Sequence, residues 1–93
     1  MMPYYQGDDV PIEFTVAYGG AAQTPTYAYV HIKKPDKSIV SAGNATINGN
    51  NVYIVMDSEF TDVVGRYDVE FRLGMPYGER THFRSYEIQG NLS

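Results

Sequence analysis

The stretch of sequence that decides the fold is Val64-Gly65-Arg66-Tyr67-Asp68-Val69-Glu70-Phe71-Arg72-Leu73. After the glycine, apolar and charged residues alternate, and the apolar set is Tyr67, Val69, Phe71 and Leu73. Because successive side chains of a strand point to opposite faces, this pattern is typical of a β-strand with one face in the core. We expect Gly65 to make the tight entry into this strand, Phe71 to lie in the core, and the Tyr67 hydroxyl to bond nearby backbone.

Other segments alternate in the same way. Residues 11–18 form a first predicted core strand, whose inward set is Ile12, Phe14, Val16 and Tyr18. Residues 27–34 form a second, whose inward set is Ala28, Val30 and Ile32. Shorter strands are predicted at residues 39–40, 45–47 and 52–56. Together these segments indicate a protein built mainly from short, half-buried strands.

The last predicted strand, residues 80–89, alternates imperfectly. Its large apolar residues Phe83, Tyr86 and Ile88 do not share one parity, so a regular strand cannot place all three on one face. A β-bulge adds one residue to one strand of a pair and restores the register. We therefore predict a bulge between Phe83 and Tyr86.

Turn signals separate the strands. Proline at position 35 presets φ for a β-turn over residues 35–38, and Asn48-Gly49 is typical of a tight hairpin. Residues 57–62 combine a capping aspartate, acidic first-turn residues and Phe60, which predicts a single helical turn with the aromatic ring closing one end of the core.

Short strands separated by turns, without a helix longer than one turn, predict an all-β protein. The expected architecture is an immunoglobulin-like antiparallel β-sandwich of about seven strands, forming one domain over residues 1–93. A tyrosine just after a corner glycine, as at Tyr67, is typical of a late strand of such a sandwich. An odd number of strands would put the two termini at opposite ends.

Composition excludes several classes of function. Eleven acidic and seven basic residues give a net charge of -4, the wrong sign for a partner recognised through its phosphates, so we expect no nucleic-acid binding. The first nine residues lack the basic and apolar parts of a signal peptide, and no apolar run approaches the roughly 18 residues of a membrane span. We expect neither self-secretion nor a membrane partner. Because cysteine is absent, stability must come from packing.

No group of residues stands out as catalytic or metal-binding. His31 and His82 lack a second ligand at metal spacing and a neighbouring nucleophile motif, so we interpret them as surface histidines. Two groups of acidic residues could meet at one end of the sandwich and hold calcium. They are Asp8 with Asp9, and Asp57 with Glu59 and Asp62, but their spacing fits no calcium-binding loop. We therefore predict no enzyme activity, no metal site and no cofactor.

Tyrosine is abundant, with nine in 93 residues, and several tyrosines do not fit the core pattern. Tyrosine gives large contact area at low entropic cost and is enriched in protein interfaces. The candidate interface residues are Tyr4, Tyr5, Tyr27, Tyr29 and Tyr77. The alternative for Tyr27 and Tyr29 is packing across neighbouring strands, which stabilises sheets.

Three segments taken in order resemble the immunoglobulin-like N-terminal domain of phage baseplate upper proteins. They are Gly7-Asp8-Asp9-Val10-Pro11-Ile12-Glu13-Phe14, Val30-His31-Ile32-Lys33-Lys34-Pro35-Asp36 and Gly65-Arg66-Tyr67-Asp68-Val69-Glu70-Phe71. The resemblance covers almost the whole chain. It departs at Lys37, where the family usually has glycine, and at residues 75–78, which replace a typical Pro-Asp-Gly turn.

The resemblance implies a non-enzymatic structural component of a phage virion, either a tail or baseplate subunit or a capsid-decorating subunit. The implied partners are other virion structural proteins in a symmetric multi-copy assembly, and the implied location is a virion assembled in the host cytoplasm. An accessory carbohydrate-binding β-sandwich is the alternative, because aromatic residues also stack on sugar rings.

Overall fold

The computed structural model of the chain describes residues 4–90. Within this range, the regular structure consists of ten strands and one 3-10 turn, Ser58–Phe60. The strands are β1 (Tyr4–Tyr5), β2 (Val10–Thr15), β3 (Ala17–Tyr18), β4 (Ala21–Ala22), β5 (Ala28–Lys33), β6 (Ile39–Asn44), β7 (Thr46–Asn48), β8 (Asn51–Met56), β9 (Gly65–Met75) and β10 (Gly78–Gln89). The predicted all-β class is confirmed.

The strands form three sheets. The large sheet has the order β1-β10-β9-β5-β6, the small sheet has the order β2-β8-β7, and β3 and β4 form a separate two-stranded ribbon. All pairs are antiparallel except β1 with β10, which is parallel. Within the described range, the chain therefore changes sheet five times, after β1, β2, β4, β6 and β8.

A single hydrophobic cluster joins the large and small sheets. Val10, Ile12 and Phe14 contribute from β2, and the four predicted inward residues of β9 are all at most 2% exposed. The rings of Phe14 and Phe71 meet edge to face with centroids 4.9 Å apart. This contact crosses between the sheets, so the molecule has the layered packing of a β-sandwich.

Two buried tyrosines close one end of this core. The Tyr67 hydroxyl donates to the Val63 carbonyl at 2.9 Å and accepts from the Val63 N–H at 3.0 Å, so the predicted bond to nearby backbone is present. The Tyr86 ring stacks on Tyr67 at 5.0 Å, and its hydroxyl donates to the Phe60 carbonyl at 2.7 Å. Burial raises the pKa of both phenols, so they remain neutral hydrogen-bond donors.

The predicted turns are present. The β7–β8 hairpin has the two-residue loop Gly49-Asn50, with positive φ at Gly49. At the proline turn, the Lys37 N–H donates to the Lys34 carbonyl at 2.8 Å, and Lys37 has a φ of 72°. That left-handed conformation favours glycine, the residue usual at this position in the family that the sequence resembles. At the 3-10 turn, the Asp57 carboxylate accepts from the Glu59 N–H at 3.1 Å.

The predicted bulge in the last strand is wrong. β10 pairs with β9 in unbroken register from Gly78 to Ile88. His82, rather than Phe83, has the inward parity of Tyr86 and Ile88, and Phe83 is 66% exposed. The register shift in the large sheet lies instead between β5 and β6, near Gly43 with its φ of 83°.

Two further expectations are corrected. Tyr18 is 57% exposed rather than in the core, because β2 ends at Thr15 and a new pairing begins in β3. The described chain ends lie side by side rather than at opposite ends, because Tyr4 pairs with Ile88 in the parallel β1–β10 contact.

Candidate functional site

The five candidate interface tyrosines lie in three separate places. Tyr4 and Tyr5 flank the end of β10, where Tyr4 packs against the core and Tyr5 is exposed. Tyr27 and Tyr29 lie on the outer face of the large sheet. Tyr77 is in the β9–β10 turn, at the far end of an 11-residue strand and about 33 Å from the β1 end at about 3.3 Å per residue. Tyr4 and Tyr5 therefore do not share a surface with Tyr77.

Tyr27 is a packing residue, the alternative that the sequence left open. Its ring occupies the space where a side chain at Gly74 would project, and it stacks on Tyr29 with centroids 4.6 Å apart. Its hydroxyl donates to the Glu79 carboxylate at 2.8 Å, and this bond raises the pKa of the phenol. Tyr29 remains 47% exposed.

An apolar groove crosses the outer face of the large sheet. It has a volume of about 140 Å³, and we call it the outer-face groove; it is lined by His31, Lys33, Ile39, Asp68, Val69, Glu70 and Phe83. Cross-strand register brings these residues together, since Phe83 and His31 both lie opposite Glu70. Ile39 and Phe83 are 69% and 66% exposed. Neighbouring exposed apolar side chains of this size are typical of an interaction surface.

Paired charges surround the groove. The Arg72 Nε lies 2.6 Å from a Glu70 carboxylate oxygen, and the hydrogen bond between them raises the pKa of the arginine. The Arg66 Nε lies 3.0 Å from the Asp68 carboxylate. An apolar centre with a polar, charge-balanced rim is the usual anatomy of a protein interface.

Sequence reasoning missed the two exposed apolar residues of this groove, Ile39 and Phe83. The predicted bulge would place Phe83 in the core, although its odd residue number sets it apart from the even-numbered Tyr86 and Ile88 in a regular strand. Ile39 was assigned only to a short strand. Its position opposite Lys33, a predicted outward residue, is the signal that would have placed it on the outer face.

His82 is half-buried rather than a surface histidine. Its ring stacks on Phe14 with centroids 4.1 Å apart, and its Nε2 accepts a hydrogen bond from the Arg84 Nε at 3.1 Å. Burial lowers the pKa of His82, and the nearby Arg84 and Arg80 cations lower it further. The neutral imidazole is therefore the form that suits this packing. His31 is also half-buried, at the outer-face groove.

This environment predicts a pH dependence of stability. The folded-state pKa of His82 is below its ordinary value of about 6.5, so the unfolded chain binds the proton more readily. The contribution of neutral His82 to the free energy of unfolding is fully present above about pH 6.5. It is lost as the pH falls from there toward the folded-state pKa. Between about pH 7.5 and 5.5, the free energy of unfolding should fall more steeply in the natural protein than in His82→Phe, as measured by denaturant titration. Equal slopes would contradict this assignment.

Three of the five acidic residues considered for calcium have other contacts. The Asp8 carboxylate accepts from the Tyr5 N–H at 2.9 Å, Asp57 caps the 3-10 turn, and Asp62 lies 3.9 Å from Lys34. Residues 4–90 contain no group of three or more His, Cys, Asp or Glu side chains arranged to hold a metal ion. The same range contains no helix with the length and apolar character needed to cross a membrane.

Comparison with known proteins finds no matching family model, no matching curated protein and no matching solved structure. The resemblance to phage baseplate upper proteins thus remains an expectation from the sequence. The strand topology and the outer-face groove are the structural observations that bear on function.

Proposed function

We propose that the chain is an immunoglobulin-like module that acts as a non-enzymatic structural component of a phage virion. It binds other virion proteins through the outer face of its large sheet. The outer-face groove carries this proposal, because Ile39 and Phe83 expose large apolar surface inside a charged rim. Fully burying a side chain of this size contributes about 1.5–3 kcal/mol, so burial of these two residues would add to the affinity of a specific contact.

Strand order supports the immunoglobulin-like class. The run β10-β9-β5 corresponds to the G-F-C order of immunoglobulin domains, and β2-β8-β7 corresponds to B-E-D. Tyr67 supports it as well, since it lies near the start of β9 and bonds the backbone four residues upstream, like the tyrosine corner of these domains.

The sequence resemblance supports the virion role. The three matching segments fall on β2, on β5 with its following turn, and on the start of β9. At the position where the family usually has glycine, Lys37 has the left-handed backbone that glycine favours. The departure at Lys37 is therefore compatible with the same local structure.

A carbohydrate-binding module is the second candidate, and one observation favours it. Tyr18 and Tyr77 are 57% and 49% exposed, and their rings lie 4.4 Å apart at one end of the molecule. Exposed aromatic rings at loop ends stack on sugar rings. A specific hit on a glycan array that is lost in Tyr77→Ala would favour this candidate.

The virion proposal is tested by incorporation into particles. The double variant Ile39→Thr with Phe83→Thr removes the apolar centre of the groove and keeps β-forming residues. Loss of a central contact of this kind commonly costs 2 kcal/mol or more, so incorporation should fall about tenfold or more. The measurement is the amount of variant in purified particles from infected cells, determined by mass spectrometry.

The matched control is Tyr53→Thr with Val55→Thr, which removes exposed apolar side chains from β8 in the small sheet. This control should be incorporated normally. Equal incorporation of both double variants, with folding intact by circular dichroism, would contradict the proposed docking face.

A further inference from the structure

Most of one edge of β10 is uncovered. β10 is a 12-residue strand that pairs with β9 from Gly78 to Ile88. On its other side, β1 pairs only with Ile88 and Gln89. Among residues 4–90, no strand pairs with that side of β10 before Ile88. We call residues 79–87 of this side the open edge.

The main-chain groups that point to the open edge can be identified. The Gln6 N–H donates to the Gln89 carbonyl at 3.1 Å, so the main chain of Gln89 faces the β1 side. The main-chain N–H and C=O groups of successive residues in a strand point to opposite sides. Those that face the same side as Gln89 therefore belong to Glu79, Thr81, Phe83, Ser85 and Glu87. The alternation is consistent with the β9 side. Gly74 lies opposite Glu79, and its N–H and C=O both bond toward β5 rather than toward β10, so the main chain of Glu79 faces away from β9.

The other long edge strands are interrupted in ways that discourage pairing. β2 carries Pro11, which has no N–H to donate, and β6 contains the register shift near Gly43. Proline and bulges are common devices that protect sheet edges from other strands. β10 has neither between Gly78 and Ile88, so its open edge is regular along its length.

Two side chains on the inward parity of the open edge are permanently cationic. Arg80 and Arg84 lie on either side of His82, and within residues 4–90 neither arginine has a carboxylate within ion-pair distance. Arg80 donates to the Ala17 carbonyl at 3.1 Å, and Arg84 donates to His82. A groove of about 230 Å³ runs beside Arg84 toward β2, with Pro11 and Glu13 among its lining residues. Arg80 and Arg84 therefore make the inward face of the open edge cationic, whereas Glu79 and Glu87 lie on the outward parity of the same strand.

We propose that the open edge of β10 binds an extended, acidic segment of a partner protein by strand addition. The main-chain groups of residues 79–87 supply hydrogen bonds, and alternate carboxylates of the segment lie beside Arg80 and Arg84. A second copy of the chain is a poorer occupant. Antiparallel self-pairing centred on Phe83 would place Glu79 opposite Glu87 and bring the arginines of both copies onto one face, and like charges directly opposite each other are destabilising.

The site goes beyond the proposed function, since it uses main-chain groups at a sheet edge and requires no virion. Phe83 belongs to both sites, with its main chain at the open edge and its side chain in the outer-face groove. Each of the two proposals can be contradicted without contradicting the other. Incorporation is measured with Ile39 and Phe83 variants, whereas the open edge is tested with the purified protein and a synthetic peptide.

The probe is a fluorescein-labelled peptide in which glutamate alternates with valine and threonine. One control peptide has lysine in place of glutamate, and a second has the original side chains with N-methyl groups on alternate amides, which removes main-chain donors. We expect binding of the glutamate peptide by fluorescence anisotropy, and loss of binding for both controls. Hydrogen exchange followed by NMR should show new protection at the amides of Thr81, Phe83, Ser85 and Glu87.

Protein variants separate charge from main-chain pairing. Arg84→Glu should weaken binding of the glutamate peptide about tenfold or more, the usual size of a lost charge-assisted hydrogen bond. Ser85→Pro removes an edge-facing N–H and leaves the β9 pairing intact, so it should abolish binding, whereas Ser85→Thr should not.

Three results would overturn the proposal. The first is no protection of these amides at saturating peptide, and the second is equal binding of the lysine or N-methyl peptide. The third is protection of the same amides without peptide in a protein that sediments as a dimer, which would assign the edge to a second copy. If Ser85→Pro fails to fold, the N-methyl peptide still decides whether main-chain pairing occurs.

Discussion

Replacing Phe71 by alanine is expected to lower the free energy of unfolding by about 3–5 kcal/mol. Phe71 is fully buried in β9, and its ring packs edge to face on Phe14 from the opposite sheet at 4.9 Å. Removing the ring loses apolar burial and leaves a cavity between the two sheets, where the backbone cannot easily collapse. The free energy of unfolding of a small domain is only about 5–15 kcal/mol, so this substitution removes a large fraction of the total stability.

The matched control is Phe83→Ala, because the same substitution is made on the neighbouring strand at a side chain that is 66% exposed. It should change stability by less than about 0.5 kcal/mol. Chemical denaturation of both variants gives the comparison. If Phe71→Ala does not fold, Phe71→Leu should still be measurable at about 1–2 kcal/mol. Equal costs at the two phenylalanines would mean that the inward face of β9 is wrongly assigned.

The contrast between these residues shows what the sequence could predict. β9 lies in the middle of the large sheet, and its alternation is regular, so its inward residues were identified correctly. β10 lies beside an uncovered side of the sandwich, where burial is incomplete. There, a polar residue, His82, takes an inward position and an apolar one, Phe83, faces outward. Hydrophobic patterning fails where the core does not enforce it.

The candidate site was harder to predict because it depends on long-range register. The outer-face groove combines residues from four strands, which are β5, β6, β9 and β10. Tyrosine adds a second difficulty, since it occurs both in packed sheet surfaces and in protein interfaces. Tyr27 packs over Gly74, which is distant in the sequence, and no local sequence pattern predicts that contact.

Replacing Gly65 by alanine is expected to destabilise the protein by about 2–6 kcal/mol, from two separate costs. Gly65 has a φ of +134°, a conformation that residues with a side chain rarely adopt, and forcing it costs about 1–3 kcal/mol. A Cβ at this position would also lie 2.8 Å from the Pro35 Cβ. Relieving this overlap requires backbone shifts that cost about 1–3 kcal/mol more.

Gly49→Ala separates the two costs. Gly49 also has positive φ, at +62°, but a Cβ there would meet nothing within 4 Å. This variant should lose only the conformational part, about 1–2 kcal/mol. Both free energies of unfolding come from the same denaturant series. If Gly65→Ala costs no more than Gly49→Ala, then the approach of Pro35 to the start of β9 does not constrain the fold. A larger cost at Gly65 would mean that the proline turn after β5 and the entry to β9 are held in close packing, two residues before Tyr67 in the same strand.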